Sequence, residues 1–254
     1  MCLYFLFFFY SLVLTMFKPQ NTKELRQAVD EWCGSVFGWV KAWYRYGHIG
    51  TWDVSEIEDM SFLFKDKKLF NSDISKWDVS NVKYFSCMFQ GCFLFNQNLN
   101  DWNVSNGVLF GCMFNNTFRF NQPVDRWDMR KALNISGMFA NSYSFNQSLN
   151  SWKLDSIKSI YNLLDNTCFY NQQLDWDIRS LYFKTDCYDL KNLLGRYIGG
   201  VPVLRFAEKK MTHQSVKNYL MIKELDKNIS EERREELFKI LRKEWEKLKE
   251  DGKN

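Results

Sequence analysis

Histidine and cysteine are the residues of this chain that could support nucleophilic catalysis or bind zinc, and their placement favours neither chemistry. The two histidines are His48 and His213, and neither accompanies a nucleophile elbow or another catalytic signature. The seven cysteines are spread along the whole chain: Cys2, Cys33, Cys87, Cys92, Cys112, Cys168 and Cys187. They form no C-x-x-C pair, so the spacing predicts neither a zinc ribbon nor a dense disulfide scaffold. We expect small buried thiols in a reduced protein.

Phosphate and calcium chemistry have equally little support. The chain has no P-loop and no strand-linked G-x-G-x-x-G motif, so nothing predicts a phosphate site. An aspartate recurs directly after a tryptophan at four places, Asp53, Asp78, Asp128 and Asp177. Asn103 and Lys153 interrupt this column, so a hydrogen bond from each aspartate to the next turn explains it better than a calcium ladder does. We expect no catalytic residues, no metal, no cofactor and no enzymatic activity.

Composition limits the class of protein and of partner. The chain has 254 residues, of which 46% are hydrophobic and 18% aromatic, a composition too apolar for a disordered protein. The net charge of +4 supplies no general electrostatic attraction to nucleic acid, so no nucleic-acid partner is expected. The 23 Phe, 10 Trp and 12 Tyr indicate that some element uses aromatic side chains repeatedly.

That element is an internal repeat of about 25 residues. Six tryptophans follow one another at a spacing of 25 and finally 24, at Trp52, Trp77, Trp102, Trp127, Trp152 and Trp176. Nineteen residues after each of the first five lies an asparagine preceded by an aromatic residue, giving the column Asn71, Asn96, Asn121, Asn146 and Asn171. We interpret both columns as structural ladders. The asparagine amides are expected to be buried and to tie each turn to the next.

The pattern within one repeat predicts the secondary structure. Trp52 and Val54 alternate with polar residues, as in a short half-buried strand. Ser80 then stands as a helix N-cap before Val82, Phe85 and Phe89, whose spacing of three and four predicts a helical turn. The fold class predicted is an α/β repeat solenoid with short parallel strands on one face, paired around Trp52 to Trp176, short helices on the other, and helical caps. Cys87 and Cys112 are expected to be buried free thiols in adjacent coils.

The repeat text, W-D-V-S followed by M-F and then F-N-Q-x-L, resembles the BspA-like leucine-rich-repeat family, closest in style to its protist and large-DNA-virus members. The resemblance covers residues 49–180 and extends to the lead-in LRQAVDEWC and YGHIGTWDVS. It implies a leucine-rich-repeat-like solenoid used for binding, without shared catalytic residues. Arg130 and Asp155 stand where earlier repeats have serine, and Leu163-Leu164 replaces Met-Phe.

The repeats divide the chain into five segments. These are an apolar segment 1–17, a helical N-terminal cap 18–48, a solenoid of about six coils 49–180, a C-terminal cap 181–206 and a charged helical tail 207–254. The apolar segment is interpreted as a membrane anchor or signal, as an artefact of a start that belongs at Met16, or as a packed apolar arm. These alternatives leave membrane-associated or surface location and an intracellular soluble one about equally favoured. The tail is expected to pair with another helix, to fold back on the solenoid or to stand solvated, in an otherwise monomeric protein.

The leading functional hypothesis is a non-enzymatic protein-protein interaction module with an unidentified protein partner. Its candidate binding face consists of outward positions that vary in charge: Lys76, Asp78, Asp101, Asn103, Arg126, Asp128, Arg130, Lys153, Asp155 and Arg179. The alternative is a membrane-anchored surface or adhesive structural protein, held by residues 2–17.

Overall fold

Two short helices precede the repeats in this computed structural model, which describes residues 16–167 and residues 170, 172, 174 and 176. Helix α1 spans Thr22–Trp32 and helix α2 spans Val36–Tyr46. The side chain of Asn21 caps α1 by accepting a hydrogen bond from the backbone N–H of Glu24 at 3.0 Å, and Ser35 caps α2 in the same way. A 3₁₀ turn at Ile49–Thr51 leads into the first repeat.

The repeats form successive coils that lie one on another in a 25-residue register. Four isolated parallel bridges mark this register, Asp59 with Tyr84, Tyr84 with Leu109, Leu109 with Asn134, and Asn134 with Ser159. Each bridge lies seven residues after a tryptophan. Every residue of one coil therefore lies beside its equivalent in the next coil.

Backbone hydrogen bonds join neighbouring coils in both directions, at different places in each coil. Four alternate N–H groups of the first coil donate to carbonyls of the second at 2.7–2.9 Å, from Met60 to Tyr84, Phe62 to Ser86, Phe64 to Met88 and Asp66 to Gln90. The intervening N–H groups close turns within their own coil, as Leu63 does on Met60. The same pattern continues at Phe85 and Cys87, which donate to Leu109 and Gly111. Each coil thus donates these N–H groups to its successor, whereas the N–H groups six and seven residues after its tryptophan donate to the preceding coil, as Lys83 and Tyr84 do to Glu58.

Two positions in each coil have left-handed backbone, and this shapes the turns. The first column comprises Phe62, Cys87, Cys112, Gly137 and Asn162, and the second comprises Asp66, Gly91, Asn116, Asn141 and Asn166. Their φ angles lie between 55° and 74°. An α-helix requires φ near −60° at every residue, so this segment turns without becoming a helix.

The α/β solenoid architecture predicted from the sequence is therefore wrong. From residue 52 onward the described part of the chain contains no α-helix and no strand, only turns and the isolated bridges. The strand pairing predicted around the tryptophans is also absent there, since the bridges fall seven residues later. Val82, Phe85 and Phe89, whose spacing predicted a helical turn, are buried in the core, but they extend from a series of linked turns and not from a helix.

The core consists of aromatic rings stacked along the coils. Phe64, Phe89, Phe114 and Phe139 form one column with ring centroids 5.4–5.6 Å apart. A second column holds Phe70, Phe95, Phe120, Phe145 and Tyr170 at 5.7–6.1 Å. Trp52 and Trp77 stack at 6.3 Å. Each inner ring is covered by the equivalent ring on either side, so one coil alone has no closed core.

Helix α1 covers the N-terminal end of the stack. Leu25, Val29 and Trp32 of α1 are buried against the first coil. One turn apart on the same helix, the Thr22 hydroxyl donates to the Asp59 carbonyl at 2.9 Å and the Arg26 guanidinium donates to the Ser61 carbonyl at 2.6 Å. In later coils the equivalent carbonyls accept from a preceding coil, which the first coil lacks. The helix supplies the missing donors.

Several sequence-based predictions concern residues outside the described part. These are the apolar segment 1–15, the C-terminal cap 181–206, the charged tail 207–254, and the individual residues Asn171, Arg179 and His213. Among the described helices, none is long and apolar enough to cross a membrane.

Candidate interaction surface

The tryptophan column fixes the spacing between coils from inside. The indole N–H of Trp77, Trp102, Trp127 and Trp152 donates to the backbone carbonyl 28 residues earlier at 2.8–3.2 Å. Trp52 has no preceding coil and instead bonds the Gly47 carbonyl at 3.4 Å. Trp176 bonds the Leu149 carbonyl at 3.1 Å across the 24-residue repeat. Each indole N–H is satisfied, as a buried tryptophan requires, and the rings from Trp52 to Trp152 are buried whereas that of Trp176 is half-buried.

A second column of inner donors was not identified from the sequence. Cys92, Thr117, Ser142 and Thr167 are buried, and each donates to the carbonyl of a core aromatic residue in the preceding coil. The Thr117 hydroxyl, for example, lies 2.8 Å from the Phe89 carbonyl oxygen. The sequence signal for this column is a small hydrogen-bond donor that recurs every 25 residues. The pattern is hard to recognise because the donor is a thiol at Cys92 and a hydroxyl at the other positions, although both groups donate.

The asparagine column lies at the surface, not in the core as predicted. Asn71 and Asn121 are exposed, and Asn96 is half-buried. The Oδ1 atom of Asn96 accepts from the backbone N–H of Asn121 at 2.9 Å, and Oδ1 of Asn121 accepts from that of Asn146 at 2.8 Å. The following Gln147 side chain also donates to Oδ1 of Asn121 at 2.9 Å. The column does link neighbouring coils, but through an exposed ladder.

The aspartate column makes local turns instead of reaching the next coil. Oδ1 of Asp53 accepts from the backbone N–H of Ser55 at 3.1 Å, and Asn103 accepts from Ser105 in the same way at 3.2 Å. These serines are therefore partners in turns and not helix N-caps. The Ser55 hydroxyl and N–H lower the pKa of Asp53. Because asparagine supplies the same acceptor, its presence at position 103 is explained.

The predicted binding face is exposed over most of its length. Lys76, Asp78, Asp101, Asn103, Arg126, Arg130, Lys153 and Asp155 are exposed, and Asp128 is half-buried. Arg126 donates to Asp101 of the preceding coil at 2.7 Å. Arg130 donates through two nitrogens to Asp128 at 2.6 and 2.8 Å, and this guanidinium lowers the pKa of Asp128 to about 2. The face thus carries both signs of charge, fixed to a hydrogen-bonded backbone.

The thiols of Cys87 and Cys112 are free, as predicted, but half-buried where burial was expected. Both lie at the first left-handed position of their coils, with φ of 57° and 56°. This position directs their side chains towards the surface, where Phe62 of the first coil is also exposed. Among the described residues, no group of three or more His, Cys, Asp or Glu side chains could hold a metal ion.

Helix α2 has an exposed aromatic face that the sequence-based interpretation did not single out. Trp39, Val40, Trp43 and Tyr44 are 43–64% exposed. The ring of Phe17, the residue that ends the apolar N-terminal segment, packs 4.5 Å from the ring of Tyr46 on the same helix. This exposed face could have been predicted, because apolar residues lie around most of the helix and one face of it cannot be buried.

The comparisons with known proteins identify a family. The model of the family described as "Mycoplasma protein of unknown function, DUF285" matches residues 33–143 and 110–190. Together these matches cover more than half of the chain. The protein belongs to the DUF285 family. The family matches span the coils from 52 to 167, so the 25-residue register is the part of the molecule that the DUF285 family covers. No curated protein and no solved structure matches the chain.

Proposed function

We propose that this DUF285 protein is a non-enzymatic protein-interaction module that binds a protein partner through the exposed columns flanking its tryptophans. The observation that carries the proposal is the contrast between the two sides of each coil. Inside, a buried tryptophan and a buried Phe or Tyr ring 18 residues later recur in each described coil from Trp52 to Trp152. Outside, at the position before tryptophan, the described coils present Thr51, Lys76, Asp101, Arg126 and Ser151 in turn.

The scaffold holds these outward side chains in a fixed array. Arg126 and Asp101 lie on neighbouring coils whose backbones are joined by hydrogen bonds, so their spacing is set before any partner arrives. Preorganisation of this kind reduces the entropy lost on binding. The mixed charges favour a partner surface with complementary charges over a uniformly charged polymer such as nucleic acid.

We further propose that the repeats are of the BspA-like kind. The W-D-V-S and F-N-Q motifs support this, because their residues hold defined places in the register. Trp77 donates to Ile49, and Asn96 and Gln97 both bond Asn71. The resemblance to the BspA-like family implies a role in binding, which supports the proposed function, and no catalytic residue is proposed.

Charge reversal on the proposed face tests the function. Lys76→Glu combined with Arg126→Glu should remove at least one protein from the set captured by proximity labelling in the native cell, with at least tenfold loss of signal. The matched control is Lys23→Glu combined with Lys158→Glu, which makes the same charge change at exposed sites off this face. The control should retain the full set. Equal sets for wild type and both double variants, all with the wild-type melting temperature, would exclude this face as the binding site.

The exposed aromatic face of α2 favours one second candidate, a surface or adhesive protein held at a membrane. Trp39, Trp43 and Tyr44 have the amphipathic rings that concentrate at membrane interfaces, and the uncharged segment 2–15 is separated by one residue from Phe17, whose ring packs on Tyr46 of this helix. Membrane fractionation of the full chain and of a chain starting at Met16, both with a C-terminal tag, separates the candidates. Membrane binding lost only in the shorter chain supports anchoring. A full chain found wholly in the soluble fraction contradicts it.

A further inference from the structure

We propose that Cys87 and Cys112 form a dithiol site that reacts with low-molecular-weight disulfides, such as glutathione disulfide, and closes to an inter-coil Cys87–Cys112 disulfide. The inference is independent of the proposed binding function. It rests on the position of the two thiols in adjacent coils, on their exposure, and on the contrast with two other described cysteines.

The backbone brings the two cysteines into register. The N–H of Cys87 donates to the carbonyl of Gly111 at 2.9 Å, which places Cys112 directly beside Cys87 in the next coil. Backbone segments joined in this way lie about 4.8 Å apart. That separation is within the roughly 4.4–6.8 Å between the Cα atoms of a disulfide. The two residues share the same left-handed φ, so their side chains leave the backbone in the same direction. Their thiols are hydrogen-bonded to each other.

The following coil leaves room for the second sulfur. The equivalent residue there is Gly137, which has φ of 61°. A Cβ atom at Gly137 would lie only 3.1 Å from Sγ of Cys112. Glycine therefore both accepts the left-handed backbone and keeps the space next to Cys112 open to an incoming reagent.

The two thiols are unequal, and this assigns their roles. A hydrogen bond from the Cys87 thiol lowers the pKa of Cys112 to about 7, and the nearby Lys65 ammonium favours the thiolate further. The same pairing raises the pKa of Cys87. Because the open space at Gly137 adjoins Sγ of Cys112 and the hydrogen bond between the thiols favours its thiolate, Cys112 is assigned as the attacking thiolate and Cys87 as the resolving thiol.

The reaction proceeds by two thiol–disulfide exchanges. The Cys112 thiolate attacks one sulfur of the small disulfide, forming a mixed disulfide and releasing one thiolate, which takes up a proton. Cys87 then loses its proton to solvent, and its thiolate attacks Sγ of Cys112 in the mixed disulfide and releases the second small thiol. The two protein thiols are oxidised to one disulfide, and the small disulfide is reduced to two thiols.

Cys33 and Cys92 provide the internal comparison. Burial raises the pKa of Cys33 to about 12, and it raises the pKa of Cys92 well above its ordinary value. Cys92 is fully buried and donates its S–H to the Phe64 carbonyl at 2.9 Å. The raised pKa values disfavour the thiolate at both positions, so among the described cysteines reaction should be confined to the pair.

The test uses the full chain equilibrated with glutathione disulfide, blocked with iodoacetamide, and digested with trypsin and Asp-N. Trypsin alone leaves Cys87, Cys92 and Cys112 in one peptide, 84–119, and cleavage before Asp101 separates the third from the others. The expected product is peptide 84–100 joined to peptide 101–119, in wild type and equally in Cys92→Ser. Its formation should raise the melting temperature by roughly 5–10 °C, as a link closing a loop of this length does.

The variants separate the roles. Cys87→Ser should stop at a stable glutathione adduct on Cys112, whereas Cys112→Ser should react at least tenfold more slowly at Cys87. Alkylation of Cys112 in wild type should rise with pH around a midpoint near 7. The proposal is overturned if no joined peptide forms at any excess of glutathione disulfide, if Cys92→Ser abolishes it, or if Cys112→Ser reacts as fast as wild type.

Discussion

The donors that satisfy carbonyl groups inside the stack are short side chains held at one position of each coil. Thr117 is fully buried and bonds the Phe89 carbonyl, as Ser142 bonds the Phe114 carbonyl one coil later. Each of these carbonyls also accepts a backbone N–H of its own coil, as Phe89 does from Cys92 at 3.0 Å, so the side-chain donor is the one that joins it to the next coil. These small residues therefore matter to stability out of proportion to their size.

Replacing Thr117 with valine, which has nearly the same shape, tests the contribution of its hydroxyl to stability. The variant Thr117→Val keeps the volume but removes one of the two donors to the Phe89 carbonyl, the other being the N–H of Cys92, so the free energy of unfolding should fall by about 0.5–1.5 kcal/mol. Thr117→Ser is the matched control, because it keeps the hydroxyl and loses one methyl group. Thermal melting should place the serine variant between wild type and the valine variant. A valine variant as stable as wild type would show that the hydrogen bond from Thr117 adds nothing to stability.

Asp128 makes a pH-dependent contribution through Arg130. Its pKa in the folded chain is about 2, below the ordinary value of 3.8, so its contribution is present above about pH 4 and is lost as the pH falls towards 2. The pair is solvent-exposed, which keeps the effect small. Asp128→Asn keeps the acceptor that Asn103 uses and removes the charge. The variant should melt slightly below wild type at pH 7, and the difference should vanish near pH 2. A difference that grows on acidification would contradict the assignment.

At the scale of elements, helix α1 completes the first coil. Arg26 and Thr22 supply donors to the carbonyls of Ser61 and Asp59, and Lys67 of the first coil pairs with Asp30 at 2.6 Å. The three α1 residues recur every four positions and so lie on one helix face. The helix therefore provides both apolar cover and hydrogen-bond donors.

Loss of one of these donors should loosen the first coil selectively. In Arg26→Ala, amide hydrogen exchange should accelerate severalfold within residues 52–76 and remain close to wild type within residues 127–151, because contacts in a stack are between neighbours. Lys23→Ala is the control, since Lys23 is exposed on the same helix. Uniform acceleration along the stack would indicate that the coils open together and not one by one.

The register and the core were predictable from sequence, whereas the backbone conformation was not. The tryptophan spacing and the aromatic residue before each asparagine gave the coil length and the stacked rings, because identical side chains recur only where coils align. Helical turns were predicted from Val82, Phe85 and Phe89, but φ near +60° at Cys87 and at the equivalent Phe62 prevents them. Left-handed backbone at phenylalanine or cysteine has no clear sequence signal, since glycine and asparagine are its usual occupants.

The surface was predicted in part. The outward positions around Arg126 were predictable, because they alternate with buried residues such as Trp127. The burial of the asparagine ladder was not predicted correctly. Asn121 faces solvent because its Oδ1 receives donors from the outer edge of the next coil, and sequence spacing alone does not distinguish the inner from the outer edge.

At the scale of the whole molecule, the described coils behave as equivalent layers. Each bonds its backbone to both neighbours and stacks its rings on them, so a complete coil can be removed without leaving any remaining coil out of register. Removal of part of a coil would shift every following tryptophan and phenylalanine away from its partner. The 25-residue register is thus the central claim about this fold.

Thermal unfolding of two deletion variants tests that claim most directly. Deleting residues 102–126 removes one coil and joins Asp101 to Trp127 in register, whereas deleting residues 102–113 removes about half a coil. We expect the whole-coil deletion to unfold cooperatively, with a melting temperature modestly below that of the full chain. The half-coil deletion should lose the cooperative transition. Equal loss of cooperativity in both variants, or retention in both, would contradict a stack of equivalent 25-residue coils.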